Sequence, residues 1–153
     1  MRLRRALRLA AYAWTAVNSL LGLALGAVAS VLGARLRVRH GALEVAGGRL
    51  GRWVARLPAP FGFSAITFGH VIFATDAAIL AAVRPHEHVH VRQYERWGPF
   101  FIPAYLLSSL LQLLRRRDPY LDNCFEREAY ARDGLPRPAA PARPTRRPRR
   151  PLR

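Results

Sequence analysis

An α+β fold is predicted for this chain by three observations. Between residues 35 and 57 apolar and polar side chains alternate in short runs separated by turn signals, which is the period of half-buried strands. Residues 66–73, Ile-Thr-Phe-Gly-His-Val-Ile-Phe, carry the β-branched and aromatic content of a strand. Two later segments, 85–98 and 123–134, end in glycine and carry helix-start residues, so they read as helices.

The first 34 residues stand apart from this pattern. Arg2, Arg4, Arg5 and Arg8 are followed by no charge until Arg35, and residues 9–34 are long enough for a membrane helix, which needs about 20 apolar residues. Tyr12 and Trp14 suit an interfacial position near one end. A secretory signal, with small residues at Ala27 and Ala29, and a buried helix of a soluble domain are the alternatives. The expectation is a single N-terminal membrane anchor, with arginines on both flanks leaving its orientation open.

In residues 35–57, Arg37-Val38-Arg39 and Leu43-Glu44-Val45 alternate around His40-Gly41, and Gly47-Gly48 marks a further turn. This predicts a small β-meander with one apolar face. Pro58-Ala59-Pro60 is a rigid break, and residues 76–83 are alanine-rich, helical or a tight connection. Residues 100–114 form a second apolar stretch, broken by Pro103 and ended by Arg115-Arg116-Arg117. From Leu135 onward the arginine- and proline-rich chain lacks the apolar residues of a core, and disorder with polyproline character is expected. The domain reading is therefore 1–34, a basic N-terminus and membrane helix; 35–134, a compact domain; and 135–153, a tail.

The chemistry concentrates in His86-Glu87-His88-Val89-His90. Histidines four apart lie on one face of a helix, so His86 and His90 can converge on one ion, with Glu87 placed to hold a water on its open side. Pro85 falls near the first turn of such a helix and Gly98 past its end. This His-Glu-x-x-His pattern is that of zinc metallopeptidases, in which zinc takes three protein ligands plus water. A helix with merely solvated or hydrogen-bonded imidazoles is the plainer reading.

A third ligand is sought in Asn123-Cys124-Phe125-Glu126-Arg127-Glu128-Ala129-Tyr130, a helix capped by Asn123 and stopped at Gly134. Here the chain resembles the gluzincins, zinc peptidases whose third ligand is a glutamate on a second helix. The nearer likeness is to members with a Glu-x-x-Ala-Asp ligand helix, the membrane CAAX prenyl proteases among them, and to very small minigluzincin domains. The resemblance covers roughly residues 70–130.

The resemblance implies a small zincin-like domain with an edge strand, residues 66–73, that pairs with extended substrate. It implies two metal-binding helices, with Glu126 as the third zinc ligand and Ala129 as the small residue where they approach. Glu87 is then the general base for peptide hydrolysis. Tyr130 stands where those families often carry aspartate, so no carboxylate is expected at that position to orient a ligand histidine. On the residues alone, Glu126 is also a candidate capping-box partner for the Asn123 amide, with Glu128 as a reserve ligand.

His70, Tyr120 and Tyr130 are candidates for stabilising the transition state or orienting a ligand, and Tyr94 shares the phenol role. His88 lies off the ligand face.

Composition limits the alternatives. The 153 residues suffice for one domain, and a net charge of +16 would ordinarily suggest a polyanionic partner. All 25 basic residues are arginine, beside frequent alanine, glycine and proline, a pattern that a GC-rich bacterial genome produces without selection for nucleic acid. The bacterial inner membrane is the expected location, membrane lipid and a peptide or protein substrate are the expected partners, and nucleic acid is not. A lone cysteine, Cys124, excludes an internal disulfide. Two other functions remain open at this level: a zinc-binding membrane protein without turnover, and a basic polyanion-binding membrane protein without metal. If 100–114 crossed a membrane, His86 and Glu126 would lie roughly 25 Å apart at 1.5 Å per helical residue, and no shared ion could form.

Overall fold

The structure, a computed structural model, describes residues 2–58 and 63–136. The expected Ala59-Pro60 part of the break and the tail from residue 137 lie outside the described residues. The fold is α+β, built on a four-stranded mixed sheet in the order β1-β2-β4-β3. Strands β1 (Arg35–Arg39) and β2 (Ala42–Ala46) form a hairpin. Its turn residues His40 and Gly41 both take positive φ, 49° and 84°, which suits the right-handed twist of the flanking strands.

The meander ends there. Past Gly47-Gly48 the chain forms helix α3 (Gly48–Val54) instead of a third strand. That crossover lets β2 run parallel to β4, with Leu43 opposite Val71 and Ala46 opposite Ala74.

The segment 66–73, expected as one strand, is a hairpin of β3 (Ala65–Phe68) and β4 (Val71–Ala74). Both arms carry strand-forming residues, so composition alone hides the turn. Gly69 makes it, at φ 58°, where any Cβ would collide with Ser19. β3 is left at the edge of the sheet.

The N-terminal segment also differs from expectation. Residues 9–34 do not form one long helix; α1 (Arg2–Trp14) and α2 (Ala16–Val31) meet at the fully buried Thr15. The 16 residues of α2 fall short of a bilayer crossing. Its stripe Asn18, Gly22, Gly26 and Ala29 is buried, and Ala29 packs with Val45 and Val71 on one face of the sheet. α2 is thus packed on the sheet. Among the described residues, the helical run long and apolar enough to cross a membrane is central, 77–114, not N-terminal.

That run contains α4 (Ala77–Trp97), a 3-10 turn at Gly98–Phe100 and α5 (Phe101–Leu114). α4 starts well before Pro85, because the Asp76 side chain accepts hydrogen bonds from the amides of Ala78 and Ile79, both at 2.8 Å. Pro85 therefore sits inside the helix, where it removes a backbone donor one residue before His86. α4 covers the second face of the sheet: Leu80 and Val91 pack with Ala42, Ala46, Ile72 and Ala74. Burying each large aliphatic chain there contributes roughly 1.5–3 kcal/mol. Glu44 on the same face is buried but held by Arg84 through two contacts of 2.6 and 3.2 Å.

Helix α6 (Cys124–Arg132) closes over α4, with Asn123 as its cap and Gly134 at φ 72° just beyond it. Tyr94 of α4, Phe101 of α5 and Phe125 of α6 form a small aromatic core between the three helices. α5 therefore does not carry α6 away from α4.

Candidate metal centre

Three side chains from two helices converge. His86 Nε2 lies 3.1 Å from His90 Nε2 and 3.2 Å from Glu126 Oε2, and His90 Nε2 lies 3.4 Å from Glu126 Oε1. All three residues are buried. One turn of α4 sets the two imidazoles, and Ala129, fully buried, lets α6 approach closely enough for Glu126 to reach them.

The partners on the far side of each ring decide what the near side offers. His86 Nδ1 lies 2.7 Å from Asp133 Oδ2, and His90 Nδ1 lies 2.8 Å from Gln93 Oε1. The Gln93 amide is fixed in this orientation, because its nitrogen donates to Phe125 O and Glu128 Oε2, both at 3.0 Å. Carboxylate and amide oxygens only accept, so both Nδ1 atoms carry hydrogen. In neutral rings the Nε2 atoms then present lone pairs, and Glu126 adds a carboxylate. Three acceptors pointing at one small volume require a cation, and this group can hold a metal ion.

Without metal, protons fill that role. Burial works to lower the His90 pKa, but the hydrogen bond and charge of Glu126 outweigh it and push it up to about 9. His86 follows in the same direction, burial being outweighed by its bonds to Glu126 and Asp133. Burial alone would raise Glu126; bonds from both histidines and from Tyr105 hold it well below the usual carboxylate range.

Glu87 points into an adjoining cleft of about 340 Å³, lined by Phe63, Ile66, Phe68, Phe101, Ile102 and Leu106, with His90 and Glu126 at its floor. Burial raises the Glu87 pKa, only partly offset by the neighbouring His90 and a 2.7 Å bond donated by Thr67 Oγ1 to Oε2.

The other candidates separate. Tyr120 lines the cleft, its hydroxyl 3.3 Å from that of Tyr130, whose ring packs on His86 at 4.5 Å between centroids. Tyr94 also lines it, but its hydroxyl donates to Thr67 O at 3.0 Å. His70 is turned away, tied to Thr15 Oγ1 at 3.0 Å and Glu95 Oε1 at 3.2 Å, because it sits in the β3–β4 turn that docks on α2. His88 packs against His40 on that same remote side. Glu126 is no capping-box partner, since its oxygens serve the histidines and Tyr105. Glu128 is bound by Gln93, Arg96 and Arg132.

Sequence reasoning missed four residues that complete the site: Asp133, Gln93, Thr67 and Tyr105, the last donating to Glu126 Oε1 at 2.7 Å. The carboxylate not expected at position 130 is supplied by Asp133, three residues on, nearly one helical turn. Comparison with protein-family models, with curated proteins and with solved structures finds no match, so the site's own geometry carries the functional reading.

Proposed function

We propose that the chain is a membrane-associated zinc peptidase of the gluzincin type, with His86, His90 and Glu126 as ligands and Glu87 as general base. The observation that carries this reading is the ligand triangle beside a buried carboxylate in a cleft. Zinc binds nitrogen and oxygen at about 2.0–2.1 Å in tetrahedral sites, which puts neighbouring ligand atoms roughly 3.3–3.4 Å apart. The separations of 3.1, 3.2 and 3.4 Å fit that spacing. Three protein ligands leave the fourth position open, the arrangement of catalytic rather than structural sites.

A bound zinc ion supplies a water whose pKa is lowered towards about 7. The protein supplies the rest. Glu87, its Oε2 held by Thr67, would take a proton from the attacking water and return it to the leaving amine. Asp133 and Gln93 keep both imidazoles in the tautomer that offers Nε2 to the metal. Tyr120, a residue of the cleft wall, would offer its hydroxyl as a donor for the developing oxyanion. β3, the edge strand on the cleft wall, offers backbone for an extended peptide.

Glu87→Gln tests the mechanism. Zinc should stay bound at about one per chain while peptide hydrolysis falls by a factor of at least about 10², the low end of general-base contributions. Hydrolysis surviving in the variant would overturn the role of Glu87. Full zinc loading with no cleavage of any peptide by the wild type would leave a zinc-binding protein without turnover.

A further inference from the structure

We infer that α2 and α5 form one lipid-docking face, and that the cleft opens between them to receive an apolar segment of a membrane-bound substrate. The docking face stands on the surface alone; the substrate class rests on the peptidase reading.

Neither helix carries a charged residue. The small-residue stripe of α2 packs on the sheet, which leaves Val17, Leu20, Leu21, Leu23, Val28 and Val31 exposed. On α5 only Phe101 and Ser108 are buried, and Leu106, Leu107, Leu110, Leu111, Leu113 and Leu114 face outward. Isolated exposed leucines are ordinary, but two uninterrupted aliphatic helix faces are not.

The two helices start from a common point. Asn18 Nδ2 of α2 donates to Gly98 O at 2.9 Å, and the Trp14 and Phe100 rings lie 6.3 Å apart. β3 lies between the helices: Phe68, Ile66 and the preceding Phe63 line both the catalytic cleft on the α5 side and a hollow beside Leu25 and Ala29 of α2. Leu106 belongs both to the cleft wall and to the outer face of α5. The way into the site is therefore bordered by apolar side chains on both flanks.

The ends of the helices name the occupant. Exposed Trp14, Trp97 and Phe100 gather where both begin, as aromatics do at a membrane interface. Arg115, Arg116 and Arg117 follow α5, cations suited to anionic headgroups. With 16 and 14 residues, the helices measure about 24 and 21 Å, short of a hydrocarbon core of about 30 Å. They suit partial immersion beside a domain that stays at the interface. A protein partner would be expected to meet polar groups among the apolar ones, and these faces offer almost none.

The test is flotation of the full chain with vesicles of phosphatidylcholine alone and of phosphatidylcholine with phosphatidylglycerol. The wild type should bind both, more tightly when phosphatidylglycerol is present. The pairs Leu20→Glu with Leu23→Glu, and Leu107→Glu with Leu111→Glu, should each weaken binding at least tenfold, also without anionic lipid, where arginines contribute little. Folding of each pair is checked by circular dichroism. Independently of that check, Leu107→Trp and Leu20→Trp should gain blue-shifted emission quenched by brominated acyl chains. A leucine-rich peptide anchored in the same vesicles should be cleaved, and more slowly by either glutamate pair. Unchanged flotation of a folded pair, absence of quenching, or a dimer that the pairs dissociate while vesicles go unbound would overturn the docking face. Lack of zinc in a wild type that still floats would sink the peptidase reading and leave the docking face standing.

Discussion

His86 Nδ1 is held 2.7 Å from Asp133 Oδ2, across 47 residues of chain, by a carboxylate whose side chain is fully buried. The other Asp133 oxygen accepts the Leu135 amide at 2.8 Å, so the end of α6 is locked while it orients a histidine of α4. Residues that orient a metal ligand typically change affinity by 10–100-fold when removed. Asp133→Asn should therefore weaken zinc binding by about that factor while keeping one site per chain. Competition with a chelator of known affinity measures it, and an unaltered affinity would show that the contact does not tune the site.

Tyr105 was not legible as a site residue, yet its hydroxyl donates to Glu126 Oε1 at 2.7 Å. A hydrogen bond to a charged group contributes about 1.5–3 kcal/mol. Tyr105→Phe removes the bond and keeps the ring stacked near Phe125. The expected result is weaker zinc binding together with a metal-free melting temperature lower by several degrees, because the bond is present without metal too. Unchanged zinc affinity beside that fall would make Tyr105 chiefly a packing residue.

The proton on His90 sets a pH dependence. Its folded pKa of about 9 exceeds the ordinary value of 6.5. For the metal-free protein this stabilisation is complete below pH 6.5 and is lost as pH rises through about 9. A metal ion bound through His90 Nε2 would displace that proton, so on the zinc reading uptake at pH 7 should release protons and apparent affinity should climb with pH up to about 9. Titration calorimetry in buffers of different ionisation enthalpy reads the proton count. A buffer-independent heat would contradict the raised pKa.

Gly98 ends α4 at φ 55°, and a Cβ there would run into the Trp14 indole. Gly98→Ala combines backbone strain, of order 1–3 kcal/mol, with a clash between two packed elements. It should lower the melting temperature by several degrees or more. An unchanged melting temperature would mean that α1 does not pack firmly over the helix junction.

Sequence alone determined the local chemistry. His86 and His90 share a face because four residues nearly complete a turn, and Asn123 and Gly134 bound α6 because capping and left-handed backbone are local requirements. The β1–β2 hairpin was legible in its alternation and its His40-Gly41 turn.

What the sequence concealed depended on contacts between distant segments. Residues 66–73 read as one strand because propensity reports side-chain type, whereas the turn at Gly69 is set by its approach to Ser19. Residues 9–34 read as a membrane crossing because hydropathy counts apolar residues but not the sheet that covers the Asn18, Gly22, Gly26 and Ala29 stripe. Pro85 marked no helix start, since the Asp76 cap had already begun α4.

The site divides in the same way. Spacing presented two imidazoles, but only the packing of α6 on α4 brought Glu126 within 3.2 Å of His86 and placed Asp133 behind it. It also turned His70 towards Glu95 and away from the cleft. A side chain's chemistry is written locally, whereas its distance from a partner 40 residues away is fixed by the core that folds between them.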